Sequence, residues 1–168
     1  ANSILTPDKP GPNSPYSYAE EAITFWKEER GIPREKLVLG MPFYGHNFET
    51  VRYISYNKII EQNPEYAYQD SLGMIYYNGI PTIVKKTLLA MDEFNGVMFW
   101  ELSNDAFNDL SLLRAVDQTL KTGGCKEGAL KTYYADVDGD GFGDLAKPVQ
   151  ACEPVPGYVD NNQDADDG

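Results

Sequence analysis

The chain has 168 residues, 42% of them hydrophobic, and a formal net charge of −12. That length holds one domain and an appendage, but a complete (β/α)8 barrel takes roughly 200 residues or more. The acidity argues against nucleic acid or an anionic membrane as partner, and no apolar run reaches the roughly 18 residues that span a bilayer.

The charge is uneven. From Lys131 onward there are 9 acidic and 2 basic residues, against 17 and 12 before it. Such a tail suits a hard cation or a solvated linker. The two cysteines, Cys125 and Cys152, permit one bridge in an oxidising compartment and are equally compatible with two free thiols. The first residues, Ala1-Asn-Ser-Ile-Leu-Thr-Pro7, lack a charged n-region and an apolar h-region. This is expected of a chain whose signal was removed or of a piece of a longer protein.

In chain order, Pro7, Pro10, Pro12 and Pro15 predict a loop over 1–15. Ser17 and Glu20 have capping-box spacing and open a helix predicted over 17–30. Its apolar face is Tyr18, Ala22, Phe25 and Trp26, and Gly31 stops it. A strand follows at 37–39. Residues 46–80 read as an insertion in which Ser55 caps a short helix to Ile60. Ala67–Gln69 and Met74–Tyr77 read as a hairpin around Asp70-Ser-Leu-Gly73. Pro81 suits the first turn of a helix with Ile80, Ile83, Val84, Thr87, Leu88 and Met91 on one face. A second strand spans 97–102. A last helix, about 110–121, is expected to bury Leu112, Leu113, Val116 and Leu120 and to end at Gly123-Gly124. Two strands joined through a helix pair in parallel, and their near-continuous apolarity predicts cover on both faces.

The strand ends carry Tyr44, His46, Trp100 and Glu101. Aromatic rings there offer a flat apolar surface to the C–H face of a pyranose; equally, Phe99 and Trp100 can be core and Tyr44 a turn residue. One histidine without a cysteine cluster excludes a structural zinc site. No nucleophile elbow, phosphate loop or dinucleotide fingerprint is present.

Four segments resemble, in sequence and order, bacterial glycoside hydrolases of family 18, the chitinases. They are Ser14-Pro-Tyr-Ser-Tyr-Ala-Glu-Glu-Ala22, Lys36-Leu-Val-Leu-Gly-Met-Pro-Phe-Tyr-Gly45, Gly79-Ile-Pro-Thr82 and Gly96-Val-Met-Phe-Trp-Glu-Leu102. The resemblance covers about 1–121 and implies that 37–43 is the seventh barrel strand and 97–100 the eighth. It implies that Trp100 floors the subsite of the distorted sugar and that Tyr44 lines the cleft. His46 stands where the family often has arginine, so any hydrogen bond it gives a sugar lacks a permanent charge. The family's Asp-x-x-Asp-x-Asp-x-Glu motif, whose glutamate protonates the leaving oxygen while the substrate's acetamido group attacks, is absent. Glu101 is expected to be a structural strand-end carboxylate. No catalytic residue is therefore assigned, and enzymatic activity stays open at this point.

Asp136, Asp138, Asp140, Phe142 and Asp144, interleaved with glycines, match the first half of an EF-hand loop, with the carbonyl of Phe142 as one ligand. Lys147 stands where the bidentate glutamate belongs. A solvated acidic turn is the plain reading, but mutual repulsion of the carboxylates favours calcium. The stretch 131–168 also resembles thrombospondin type 3 calcium-binding repeats. A cysteine often stands there where this chain has Ala165, which implies Cys125 as the partner of Cys152.

The expected fold is thus α/β: the last two βα units of a TIM (β/α)8 barrel over 1–127, with a small α+β insertion at about 46–80. An irregular Asp/Gly-rich calcium-binding tail follows over 128–168. The resemblance implies part of a secreted or cell-surface bacterial chitinase-like glycosidase acting on β-1,4-linked N-acetylglucosamine glycans. The missing barrel strands, in cis or in another chain, would be its partner. The alternatives are a non-catalytic carbohydrate-binding protein on the same scaffold and a calcium-stiffened spacer.

Overall fold

The structure is a computed structural model that describes residues 10–50, 52–124, 131–152 and 154–164. The chain divides into two units, Ala1–Asp117 and Gln118–Gly168. The boundary expected near Gly128 lies outside the described residues.

In the first unit, strand β1 (Val38–Pro42) pairs in parallel with strand β6 (Gly96–Trp100), Val38 opposite Gly96 and Pro42 opposite Trp100. Alternation along the strands sorts their side chains. Leu39, Met41 and Phe43 are buried, and Val97 and Phe99 pack on the same core. Each such side chain taken from water contributes roughly 1.5–3 kcal/mol. The other face is bare: Val38, Gly40, Met98 and Trp100 are exposed. Cover on both faces was expected; two strands alone supply helices to one side only, and no layer of the described residues covers the other.

Helix α1 (Tyr16–Ile23) runs into a π-helical stretch, Thr24–Glu29. The predicted capping box does not form: Pro15 is the N-cap, and Ser17 already sits in the first turn. Ala19 is buried and Ile23 packs on the core, but the wider winding that follows leaves Phe25 and Trp26 exposed. Their rings meet edge-on at 4.9 Å.

Helix α3 (Ile80–Glu93), with Pro81 in its first turn, buries Ile83, Lys86, Thr87 and Ala90. That i, i+3, i+4, i+7 stripe leaves Met91 outside it. Helix α4 (Leu112–Thr122) buries Leu112, Ala115, Val116 and Thr119 on the same spacing. Leu113 and Leu120, expected inside, lie off the stripe and are exposed. The N-terminus of α4 is capped by the buried Asp105. Its carboxylate accepts from the N–H groups of Leu112 (2.8 Å) and Leu113 (3.0 Å) and from Ser111 Oγ (2.7 Å).

The insertion is α+β, as expected, but richer in strands. Strands β2 (Tyr44–Asn47), β3 (Arg52–Ser55), β4 (Ser71–Leu72) and β5 (Ile75–Tyr76) form an antiparallel sheet in the order β3-β2-β5-β4. The hairpin lies where predicted, but its arms are β4 and β5 around Gly73, at φ +56°. Ala67 and Tyr68 fall instead in a 3-10 helix, Pro64–Tyr68, opened by Asn63, whose side chain accepts from the Glu65 N–H. Ser55 is the N-cap of helix α2 (Tyr56–Ile60), but its hydroxyl donates to Asn57 Oδ1 and caps no N–H.

The tail is not irregular. Strands β7 (Lys131–Ala135), β8 (Asp144–Ala151) and β9 (Tyr158–Val159) form an antiparallel sheet in the order β8-β7-β9. The β-prone run Thr132-Tyr-Tyr134 supplies its central strand, and the Asp/Gly segment is the connection from β7 to β8. Cys152 is disulfide-bonded. Cys125 lies outside the described residues.

Candidate functional site

The parallel pair β1/β6 ends in backbone that turns into the insertion on one side and a 3-10 helix, Leu102–Asn104, on the other. Phe43 N–H donates to Trp100 O (2.8 Å), which locks the two strand ends together. The Trp100–Glu101 peptide is cis. Around these ends lies a recess of about 200 Å³ lined by Ser14, Gly40, Pro42, Tyr44, Met98 and Trp100. Trp100 is 61% exposed. Phe99, the next residue back, turns inward and packs on Phe43 at 4.9 Å.

Tyr44 and His46 alternate on β2 and share a face, their rings 5.5 Å apart and edge-on. Gly45 between them faces inward. A Cβ there would meet Tyr76 O at 2.8 Å, so only glycine lets β2 lie this close to β5. Glu101 is exposed and accepts from Ser103 Oγ (2.8 Å).

Sequence reasoning missed the groups that hold this site in place. Asn13 Nδ2 donates to Tyr44 O (2.8 Å), and Asn78 Nδ2 donates to Asn13 O (2.8 Å). The Lys86 ammonium, 1% exposed, donates to Asn78 Oδ1 (2.7 Å) and to the carbonyl and hydroxyl of Ser14. Ser14 sits at φ +48°, a left-handed conformation that non-glycine residues rarely hold. The chain Lys86–Asn78–Asn13 therefore clamps the 10–15 loop onto the backbone of Tyr44. Burial pushes the Lys86 ammonium down to about 8, with Asp70 pulling the other way. The one sequence signal was a lysine three residues after Ile83, inside an apolar stripe.

A larger recess, about 620 Å³, lies beside Tyr16, Asp70, Tyr76, Asn78 and Lys85 and includes none of Tyr44, His46 and Trp100. Asp70 there is already engaged by Gly79 N–H (2.8 Å) and Thr82 Oγ1 (2.6 Å).

In the second unit, carboxylate oxygens of Asp136, Asp138 and Asp140 lie within 4.8 Å of one another. Asp136 accepts from the N–H groups of Gly139 (2.9 Å) and Gly141 (3.2 Å), which folds the loop around its own carboxylate. An all-oxygen donor set of this kind fits a hard cation such as calcium. Asp144 is not in the cluster. Its carboxylate takes the Ala146 N–H (2.7 Å) and pairs with Lys147 (3.0 Å), and both hold its carboxyl below the usual range. Phe142 donates its own N–H to Asp140 Oδ1 (2.8 Å) and is exposed.

Parallel strands that carry an exposed tryptophan at their C-terminal ends and are backed by helices define an α/β fold. Residues 3–105 match the family Glycosyl hydrolases family 18, and the chain belongs to that family. It is similar to the family 18 chitinase ChiB from the chitin utilization locus of Flavobacterium johnsoniae, with 41% identity and a TM-score of 0.64 over 67% of this chain. It is also similar to a chitinase from Bacteroides thetaiotaomicron, with 34% identity and a TM-score of 0.63 over 68% of this chain. The chain spans 37% and 41% of the lengths of those two proteins.

Proposed function

We propose that this chain is the C-terminal part of the barrel of a secreted chitinase-like glycosidase. It supplies cleft walls for β-1,4-linked N-acetylglucosamine polymers but not the catalytic acid. In this reading β1 and β6 are the seventh and eighth barrel strands, and the bare face of Val38, Gly40, Met98 and Trp100 is barrel interior. The observation that carries it is Trp100, 61% exposed at the end of β6 and sharing a recess with Tyr44. A six-membered sugar has an apolar C–H face that stacks on such a ring while its hydroxyls reach the rim.

The step assigned to this chain is positioning. Trp100 carries the sugar whose glycosidic bond breaks, Tyr44 walls it, and His46 offers a ring nitrogen at the edge. Proton donation to the leaving oxygen belongs to a glutamate outside this chain, and the acetamido oxygen of the substrate attacks the anomeric carbon. The disulfide at Cys152 supports an oxidising compartment. The acidic loop is proposed to hold calcium through Asp136, Asp138 and Asp140, with Asp144 joining if it leaves Lys147, and with the Phe142 carbonyl.

The test compares ligands that differ only at the acetamido position, in the chain joined to the remaining barrel strands. N-acetylated oligomers are expected to bind at least about tenfold more tightly than cello-oligomers of equal length. Equal affinity would remove the acetamido group from the reading.

A further inference from the structure

The aromatic surface does not end at Tyr44. Residues paired directly across strands share a face of the sheet. His46 pairs with Tyr53 on one side and Tyr76 on the other, and Tyr44 pairs with Ser55. The alternate residues Ile54 and Ile75 pack on the core, so Tyr44, His46, Tyr53 and Tyr76 occupy the face turned away from it. The Tyr53 ring lies 5.0 Å from that of Tyr44, tilted by 36°, and Tyr53 is 48% exposed. Tyr44 in turn shares its recess with Trp100. Trp100 and Tyr44 thus line one recess, and the Tyr44 ring meets that of Tyr53. His46, also exposed, borders both tyrosines.

We propose that Tyr53, with His46 beside it, is a further stacking platform for the same amino-sugar polymer. It takes units of the chain beyond those held at Trp100 and Tyr44. The inference rests on reading the Trp100 recess as a saccharide site. One side of the Tyr53 ring leans on Tyr44, which fixes its orientation at small entropic cost on binding. Tyr53 is half exposed, which leaves ring surface for the C–H face of a pyranose. The phenol hydroxyl of Tyr53 and the imidazole of His46, paired across the strands, offer polar groups to the hydroxyl and acetamido substituents of such a chain.

The occupant is a longer glycan, so the signature is chain length. The full chain, joined to the remaining barrel strands, is titrated with sulfur-linked chito-oligosaccharides of two to six units, which resist hydrolysis. The titrations cover wild type, Tyr53→Ala, Tyr53→Trp and Trp100→Ala. Tyr53→Ala is expected to weaken the five- and six-unit ligands by about fivefold to tenfold and to leave the two-unit ligand unchanged. Tyr53→Trp is expected to restore or tighten the long ligands. A Tyr53→Ala protein that binds every length as wild type does, while Trp100→Ala weakens all of them, overturns this platform and leaves the Trp100 reading standing. A loss that is equal at every length, with a lowered melting temperature, makes Tyr53 a packing residue and also overturns it. If Trp100→Ala has no effect on any length, the saccharide reading fails, and Tyr53 fails with it.

Discussion

Replacing Trp100 by alanine tests the proposed sugar-facing role of the strand ends. At 61% exposure, and taking roughly 250 Å² for a whole tryptophan, about 150 Å² faces solvent. One pyranose covers one side of the ring, about half of that area. At ~25 cal/mol per Å² the lost contact is worth about 2 kcal/mol, a weakening of roughly 30-fold in Kd. Folding should barely register the change, because the exposed part of the indole makes no core contact; a cost below about 1 kcal/mol is expected. The assay is calorimetric titration with sulfur-linked chito-oligosaccharides in the barrel-complete protein, with thermal melts alongside. Trp100→Phe, which keeps a smaller flat ring, should recover part of the affinity. Unchanged affinity in a folded Trp100→Ala protein would refute the reasoning. So would a loss matched by a large fall in stability, which would return Trp100 to the core.

Two further outcomes follow from the clamp and from the tail. Lys86 has its proton affinity lowered to about 8 in the folded state against 10.5 in the open chain, so between those values the unfolded chain holds a proton that the folded one has lost. Stability should therefore rise with pH through that window, by about 3 kcal/mol in all, and Lys86→Met should flatten the rise. Denaturant melts from pH 7 to about 9 read the rise before Tyr56 and Tyr77 oppose it: burial raises both hydroxyls above their ordinary 10.0, so near that pH the unfolded chain loses those protons first and stability falls; a flat wild-type profile would contradict the buried ammonium. Calcium titrated into the chain should bind at Asp136, Asp138 and Asp140 with a dissociation constant of roughly 10⁻⁴–10⁻³ M and order the 136–144 loop, read by calorimetry and amide NMR. Asp138→Asn should weaken it several-fold, and no heat at millimolar calcium would leave a plain acidic loop.

The parts of the fold legible in the sequence were those written as unbroken apolar runs. Val38–Pro42 and Gly96–Trp100 are β-prone and bounded by glycine and polar residues, so the paired strands and the aromatic strand ends could be read directly. The strands Tyr44–Asn47 and Arg52–Ser55 were not, because four-residue segments mixing tyrosine, histidine, asparagine and arginine have no period to find. Their pairing is set by Gly45 and by the packing of Ile54 on the core. Leu113 and Leu120 were over-read because hydrophobicity alone does not choose between adjacent stripes; the capped start of α4 at Asp105 does. Lys86 defeats a hydropathy argument altogether, since its partners Ser14 and Asn78 lie 72 and 8 residues away. In the tail, the spacing of the aspartates gave the cluster of three, while Lys147, only three residues beyond Asp144, drew the fourth away.

As proposed, this chain walls a chitin-cleaving site that it cannot operate alone. The direct measurement is hydrolysis of a chromogenic chitobioside by the 168-residue chain and by the same chain joined to the remaining barrel strands. The chain alone should give no turnover above background, and turnover should return when the barrel is complete. Turnover by the chain alone at the rate of the completed barrel would contradict it and make Glu101 the first residue to test.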